Sequence, residues 1–163
     1  MYLKKRIETI FHSVIRKTGY DIVKCKYSRA ELEIEQLLSL MQIGCVLDIG
    51  ANEGQFAKHL RIGGYKKKII SFEPIKEPFI KLAKLSVKDQ LWEIHNMALG
   101  DHDGQAEINI SANSVSSSLL GMQNSHLEAA PESKYVGIQN VDVRCLDSIF
   151  SNLNIGNQNI YLK

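Results

Sequence analysis

Cysteine is scarce in this 163-residue chain: Cys25, Cys45 and Cys145 are odd in number, far apart and without a C-x-x-C pair. That argues against a disulfide framework and gives no zinc signature. Cys45 and Cys145 lie inside apolar runs and read as buried thiols of a reducing cytoplasm. Long hydrophobic runs are missing too. With no stretch of about 18 apolar residues, and with charges throughout the first turns of the chain, neither a transmembrane helix nor a secretory signal is expected. Charge of one sign is equally absent, because 20 lysines and arginines face 18 aspartates and glutamates for a net +2. No overall field draws the chain to nucleic acid, and none is expected as a partner. There is no internal repeat and no low-complexity segment.

What remains, 44% hydrophobic residues and 23% charged, suffices for one domain with a core and not for two. We divide the chain into an N-terminal helical segment, 1–44, and a domain over 45–163. Leu3, Ile7, Ile10, Phe11, Val14 and Ile15 recur at helical spacing, with Lys4, Lys5, Arg6, Arg16 and Lys17 on the other face. Such a helix either packs on its own domain or rests peripherally on an anionic membrane surface. Gly19 ends it. Asp21–Tyr27 reads as a short extended piece, and Glu31–Met41 as a second helix stopped by Gly44.

The pattern then becomes regular. Cys45–Ile49 is an apolar run broken only by Asp48, as in a strand buried on both faces. A helix follows from Gln55 to Arg61 and ends at Gly63-Gly64. Lys68–Phe72 is a second strand, ending at Glu73-Pro74. Phe79, Leu82, Ala83 and Leu85 mark another helix, with Pro78 tolerated in its first turn. Leu91–Ala98 is a third strand. Strand, helix, strand, helix, strand at this spacing predicts an α/β fold, a Rossmann-like parallel sheet with helices on both faces. Beyond it, Gly100–Gly104 is a turn, Ala106–Ile110 alternates like a half-exposed strand, and residues 111–131 form a polar, Ser-rich connection. Tyr135–Leu146 alternates again with room for a bulge. Asp147-Ser148 caps a short helix to Leu153, and Asn159–Lys163 begins another buried parallel strand.

Ligands of open parallel sheets bind at the carboxyl ends of the strands, where Gly50–Gly54 lies. Glycines let the backbone turn sharply and approach a ligand closely, and the N–H groups of the next helix favour an anionic group. An ordinary strand-to-helix turn would look the same. Glu73, at the end of the second strand, adds a carboxylate placed to accept hydrogen bonds from ribose hydroxyls, unless it serves the helix after Pro74. The ligand is narrowed by what is missing. No G-x-x-x-x-G-K-[ST] exists, so a P-loop is excluded. In a G-x-G-x-x-G dinucleotide loop the second glycine admits pyrophosphate, and here that position is Asn52. Asp48 would repel phosphate but could receive an ammonium. S-adenosylmethionine suits this set better than NAD or ATP.

Leu47-Asp48-Ile49-Gly50-Ala51-Asn52-Glu53-Gly54-Gln55-Phe56, then Ser71-Phe72-Glu73-Pro74, then Asn96-Met97-Ala98-Leu99-Gly100-Asp101, then Val143-Arg144-Cys145-Leu146-Asp147, in that order, resemble the FkbM-type methyltransferases. The resemblance covers roughly Cys45 to Lys163. It implies a Rossmann-like methyltransferase fold, S-adenosylmethionine as donor, and O-methylation of a hydroxyl of a sugar or other small molecule in glycan or natural-product biosynthesis. It places Asp48, Gly50, Ala51, Asn52 and Gly54 at the methionine half, Glu73 on the ribose, and Met97 and Ala98 near the adenine. Ser116–Leu119 is similar to a Ser-Leu motif of the family. Members continue past the equivalent of Lys163 with Ile-Asp-x-Glu-Gly, a further helix and further strands, so the resemblance implies a partial domain, a fragment truncated at its C-terminus and without the acidic residues that are among the family's candidates for substrate or cofactor contacts.

Methyl transfer from a sulfonium is an in-line displacement in which the protein fixes donor and acceptor, and an alcohol acceptor gains from a base or a metal. His95, Asp101, His102, Asp103 and His126 carry suitable groups. Asp101–Asp103 suit a turn for backbone reasons, His95 alternates with strand residues and Asp147 reads as a cap. No catalytic residue and no metal ligand is assigned. Two rival readings stay open: a non-catalytic module that binds an adenosyl ligand, and an NAD-type oxidoreductase, which Asn52 disfavours.

Overall fold

The computed structural model of the protein describes residues 29–111 and 135–163. The basic helix expected at Leu3–Lys17, with its membrane contact, the extended piece Asp21–Tyr27, the Ser116–Leu119 motif and His126 lie outside the described residues. In chain order the elements are α1 (Arg29–Leu40), β1 (Ile43–Ile49), α2 (Gln55–Gly63), β2 (Lys68–Phe72), α3 (Lys76–Ser86), β3 (Trp92–His95), β4 (Ala98–Gly100), β5 (Gly104–Ser111) and β6 (Tyr135–Cys145). A short α4 (Leu146–Ile149), a 3-10 turn (Phe150–Leu153) and β7 (Asn159–Leu162) complete them.

The apolar runs of β1 and β2 suit the two inner strands, each with neighbours on both edges. The main sheet has the order β3-β2-β1-β7, every pair parallel. Alternation along the strands sorts the core into two faces. Val46, Ile69, Trp92 and the half-buried Tyr161 meet Leu38 of α1, Ala57 and Leu60 of α2 and Leu82 of α3. On the other face Cys45, Leu47, Ile70 and Phe72 meet Leu153 and Ile155, with Leu146 and Ile149 of α4 packed against them. Each fully buried Leu, Ile or Phe contributes about 1.5–3 kcal/mol. The expected α/β architecture is present, and among the described residues the helix cover is unequal: α1, α2 and α3 share one face, while α4 and the 3-10 turn serve the other.

Three expectations need correction. The single third strand at Leu91–Ala98 is two strands in different sheets. The Asn96 amide donates to the carbonyl oxygens of Glu73 (2.8 Å) and Pro74 (3.0 Å), bending the chain after His95. β4 then joins a second sheet of order β4-β6-β5, parallel to β6, which pairs antiparallel with β5. Gly44 does not stop α1, because Gln42, at φ 53°, makes the left-handed turn instead. Gly44 is the extra residue where the β1–β7 register steps from Ile43↔Asn159 to Cys45↔Ile160, a usual place for glycine in a strand. Asp147 caps nothing and is exposed. Asp103 instead braces the segment from across the turn, its Oδ1 accepting from Cys145 N (2.7 Å) and Ser148 Oγ (2.8 Å). The bulge expected in the 135–146 strand is found, with Val136 skipped between Ile110↔Gly137 and Ser111↔Tyr135.

Arg61 locks the end of α2 to the start of β3. Its Nε donates to Asp89 Oδ2 at 2.6 Å, Nη1 to the Tyr65 and Lys67 carbonyls at 2.8 Å each, and Nη2 to the Leu91 carbonyl at 3.2 Å. Burial opposes ionisation of Asp89, but the Arg61 guanidinium and the Leu91 N–H outweigh it and hold the carboxyl below its ordinary range. Arg61→Ala is expected to lower stability by about 2 kcal/mol. Arg61→Lys should recover less than half of the loss in urea melts, since an ammonium cannot reproduce the guanidinium fork. Equal midpoints for lysine and arginine would refute this role.

Candidate functional site

The chain runs from β1 to β2 to β3 across one side of the sheet and returns as β7 on the other side of β1. The order therefore reverses between β1 and β7, the place where open α/β sheets bind ligands at the strands' carboxyl ends. Asp48 closes β1 at that point. The loop after it is pinned by Ala51 N donating to the Phe72 carbonyl (3.0 Å) and closed by Gly54 N donating to the Ala51 carbonyl (2.9 Å). Gly50, Asn52 and Gly54 have φ of 68°, 50° and 86°.

The two glycines are required for different reasons. A Cβ on Gly50 would meet nothing within 4 Å, so the space above it is open to a ligand. A Cβ on Gly54 would lie 2.8 Å from Leu82 Cδ1 and 3.0 Å from the Trp92 ring, so only hydrogen fits between the start of α2 and the core. Gly54 caps α2 without a side-chain bond, and Lys58 N donates to its carbonyl at 3.0 Å.

Two buried carboxylates flank the loop. Glu73, 4% exposed, accepts from Asn52 N through Oε2 (2.7 Å) and from Ile75 N through Oε1 (2.8 Å). It thus ties the glycine loop to the entry of α3, so the helix-serving role is real. Each oxygen keeps one lone pair free for a hydroxyl. Asp48 is 0% exposed. Its Oδ2 accepts from Ser71 Oγ at 3.4 Å, and the Lys163 ammonium, just past β7, stands 3.0 Å from Oδ1. Lys163 is thus the partner of Oδ1, whereas Asn52 Oδ1 beside it is a buried acceptor with no hydrogen-bond donor. Burial pushes the Asp48 carboxyl up against the opposing pull of Lys163 and Ser71. It also pushes Glu73 up, against the two backbone N–H groups.

A cleft of about 570 Å³ opens alongside, between Glu53, the first turns of α3 (Ile75, Pro78, Lys81) and the β5–β6 pair (Ser111, Gln139). Lys81 bridges Glu53 across it at 2.7 Å. The structure thus gathers Asp48, Gly50, Ala51, Asn52, Gly54 and Glu73 at one end of the sheet. Met97 packs with the Leu47–Phe72 face and Ala98 with Ile75 and the second sheet. His95 stacks on Phe72 and bonds Glu93 Oε1 at 2.8 Å, while Asp101 and His102 pair in the solvent. Among the described residues no group of three or more His, Cys, Asp or Glu is arranged to hold a metal, and no helix is long and apolar enough to cross a membrane. Sequence reasoning missed Lys163, Ser71 and Trp92. Ser71 carried a signal, as a polar residue in an apolar strand run.

A parallel sheet with a glycine turn, an acid at the end of β1 and another at the end of β2 has the architecture of an α/β domain of methyltransferase type. The family model described as the methyltransferase FkbM domain matches residues 48–162, and the chain belongs to that family. No curated protein and no solved structure is a match for it. The residues suit S-adenosylmethionine: Asp48 faces an ammonium, Asn52 Oδ1 is a buried acceptor without a donor, the space over Gly50 is open, and Glu73 keeps lone pairs for hydroxyls.

The raised Asp48 carboxyl costs stability when ionised. Its folded pKa lies above the unfolded value, so the native state gains stability as pH falls through the folded pKa, and the gain is complete below the unfolded one. Asp48→Asn, which removes the buried charge, should melt about 2–4 °C higher than the wild type at pH 7. The difference should shrink on acidification toward the ordinary aspartate range. A lower melting temperature for the variant at pH 7 would show that the Lys163 pair outweighs the burial.

Proposed function

We propose that this protein is an S-adenosylmethionine-dependent O-methyltransferase acting on a hydroxyl of a sugar or other small molecule in glycan or natural-product biosynthesis. The observation that carries the reading is the buried Asp48 carboxylate, whose Oδ1 faces an ammonium, that of Lys163, at 3.0 Å, beside Asn52 Oδ1, a buried acceptor with no hydrogen-bond donor. They suit the ammonium of an amino-acid moiety, and a phosphate there would meet carboxylate repulsion. Glu73 supports the nucleoside half, since ribose presents two adjacent hydroxyls to one carboxylate. The 570 Å³ cleft bordered by Glu53 and Ile75 is of a size that suits the adenosine end; Ala98 shares a packed cluster with Ile75.

S-adenosylmethionine supplies a methyl group on a sulfonium, open to in-line attack by an acceptor oxygen. The chain's own residues position and desolvate. The glycine loop fixes the backbone over which the donor lies, and Asp48 and Asn52 orient its amino-acid end. Glu73 holds loop and ribose in one geometry through Asn52 N and Ile75 N, so that acceptor and donor meet at near-attack distance. A cytoplasmic setting is in keeping with the free thiols of Cys45 and Cys145, the first of which burial pushes up to about 11.

Calorimetry with S-adenosylhomocysteine should show binding that Gly50→Val and Glu73→Ala each weaken about tenfold or more. Transfer of labelled methyl to a hydroxylated acceptor tests the chemistry. Preferential binding of NAD, or S-adenosylhomocysteine affinity unchanged in both variants, would overturn the reading.

A further inference from the structure

Behind the glycine loop runs a buried chain of hydrogen bonds. Trp92 Nε1 donates to Ser71 Oγ at 2.9 Å, and Ser71 Oγ donates to Asp48 Oδ2 at 3.4 Å. Trp92 is 7% exposed, and Ser71 and Asp48 are 0% exposed. An indole N–H only donates. Ser71 must therefore accept from Trp92, which leaves its single proton directed at Asp48. The register supports the alignment: Ile69 faces Trp92 between β2 and β3, and Ser71 faces Asp48 between β1 and β2. The same Trp92 ring closes the space beneath Gly54.

We propose that Trp92 is a positioning residue for the ligand's charged end. Acting through Ser71, it ties back Oδ2 of Asp48, so that Oδ1 is the oxygen presented in the crevice between β1 and β7. The group it prepares for is a primary ammonium, the class already represented there by Lys163 Nζ, 3.0 Å from Oδ1. This deepens the S-adenosylmethionine reading and rests on it for the identity of the ligand. The relay itself is a property of the chain alone.

The test uses two ligands and one spectroscopic probe. Trp92→Phe keeps the ring that packs beneath Gly54 and removes the donor; Ser71→Ala cuts the relay without touching the ring. Each should weaken S-adenosylhomocysteine, which carries the ammonium, about five- to tenfold. Each should change the affinity of 5′-methylthioadenosine, which lacks it, by less than about twofold. Equal losses for both ligands would mean that Trp92 only supports the fold, and no loss for either would overturn the proposal. The chain has one tryptophan, so its indole N–H gives a single nuclear magnetic resonance signal that can be followed without ligand. Asp48→Asn should shift that signal, and Ser71→Ala should shift it further. An unmoved signal in Asp48→Asn overturns the relay. A shifted signal in a protein that binds neither ligand would support the relay and remove the S-adenosylmethionine reading instead.

Discussion

A carboxylate with no accessible surface, at the end of a strand buried on both faces, governs the arrangement around it. Asp48 stays in place because Ser71 donates to one oxygen and the Lys163 ammonium faces the other. Both partners arrive on strands adjacent to β1. Paired β1, β2 and β7 are therefore the condition for holding the charge, and the charge lies where the strand order reverses. A hydrophobic residue would pack there at lower cost, as buried ionic groups are seldom the most stable choice. The cost makes sense for a group that receives a ligand.

Glu73 extends the same logic. It bonds the N–H of Asn52 from the loop after β1 and the N–H of Ile75 at the entry of α3, while the Asn96 amide holds the carbonyls of Glu73 and Pro74. Three loops at the carboxyl end of the sheet are joined through one short Glu-Pro segment. The scaffold role leaves room for the proposed ligand contact. A carboxylate whose two oxygens are each fixed by a backbone donor has lost its rotamer freedom before any hydroxyl arrives.

The parallel core was legible because its cause is local: apolar runs at Cys45–Ile49 and Lys68–Phe72 separated by a helical period, with glycine and proline as punctuation. The glycine loop and Glu73 were legible for the same reason, since backbone turns and strand-end acids follow from neighbouring residues. What escaped was set by distant partners. The split after His95 depends on Asn96 reaching back to Glu73 and Pro74, and the brace on the entry to α4 comes from Asp103, some forty positions earlier in the chain. Trp92 drew no reading from the sequence, and its ring simply lies in the core. Its N–H matters only through Ser71, and that contact follows from strand register, which no residue pattern states.

The order of strands also bears on how the molecule forms. β1, β2 and β3 are joined by short crossovers, so their pairing closes loops of modest length. β7 reaches β1 across more than a hundred residues, Ile43 pairing with Asn159, and the second sheet is built from the intervening chain. Contacts between such distant positions carry the largest closure entropy and belong to the slow part of folding. Lys163 and the crevice come with that last pairing. Until it is made, Asp48 stands at a sheet edge open to water, and the proposed site is assembled only in molecules that have made this long-range pairing.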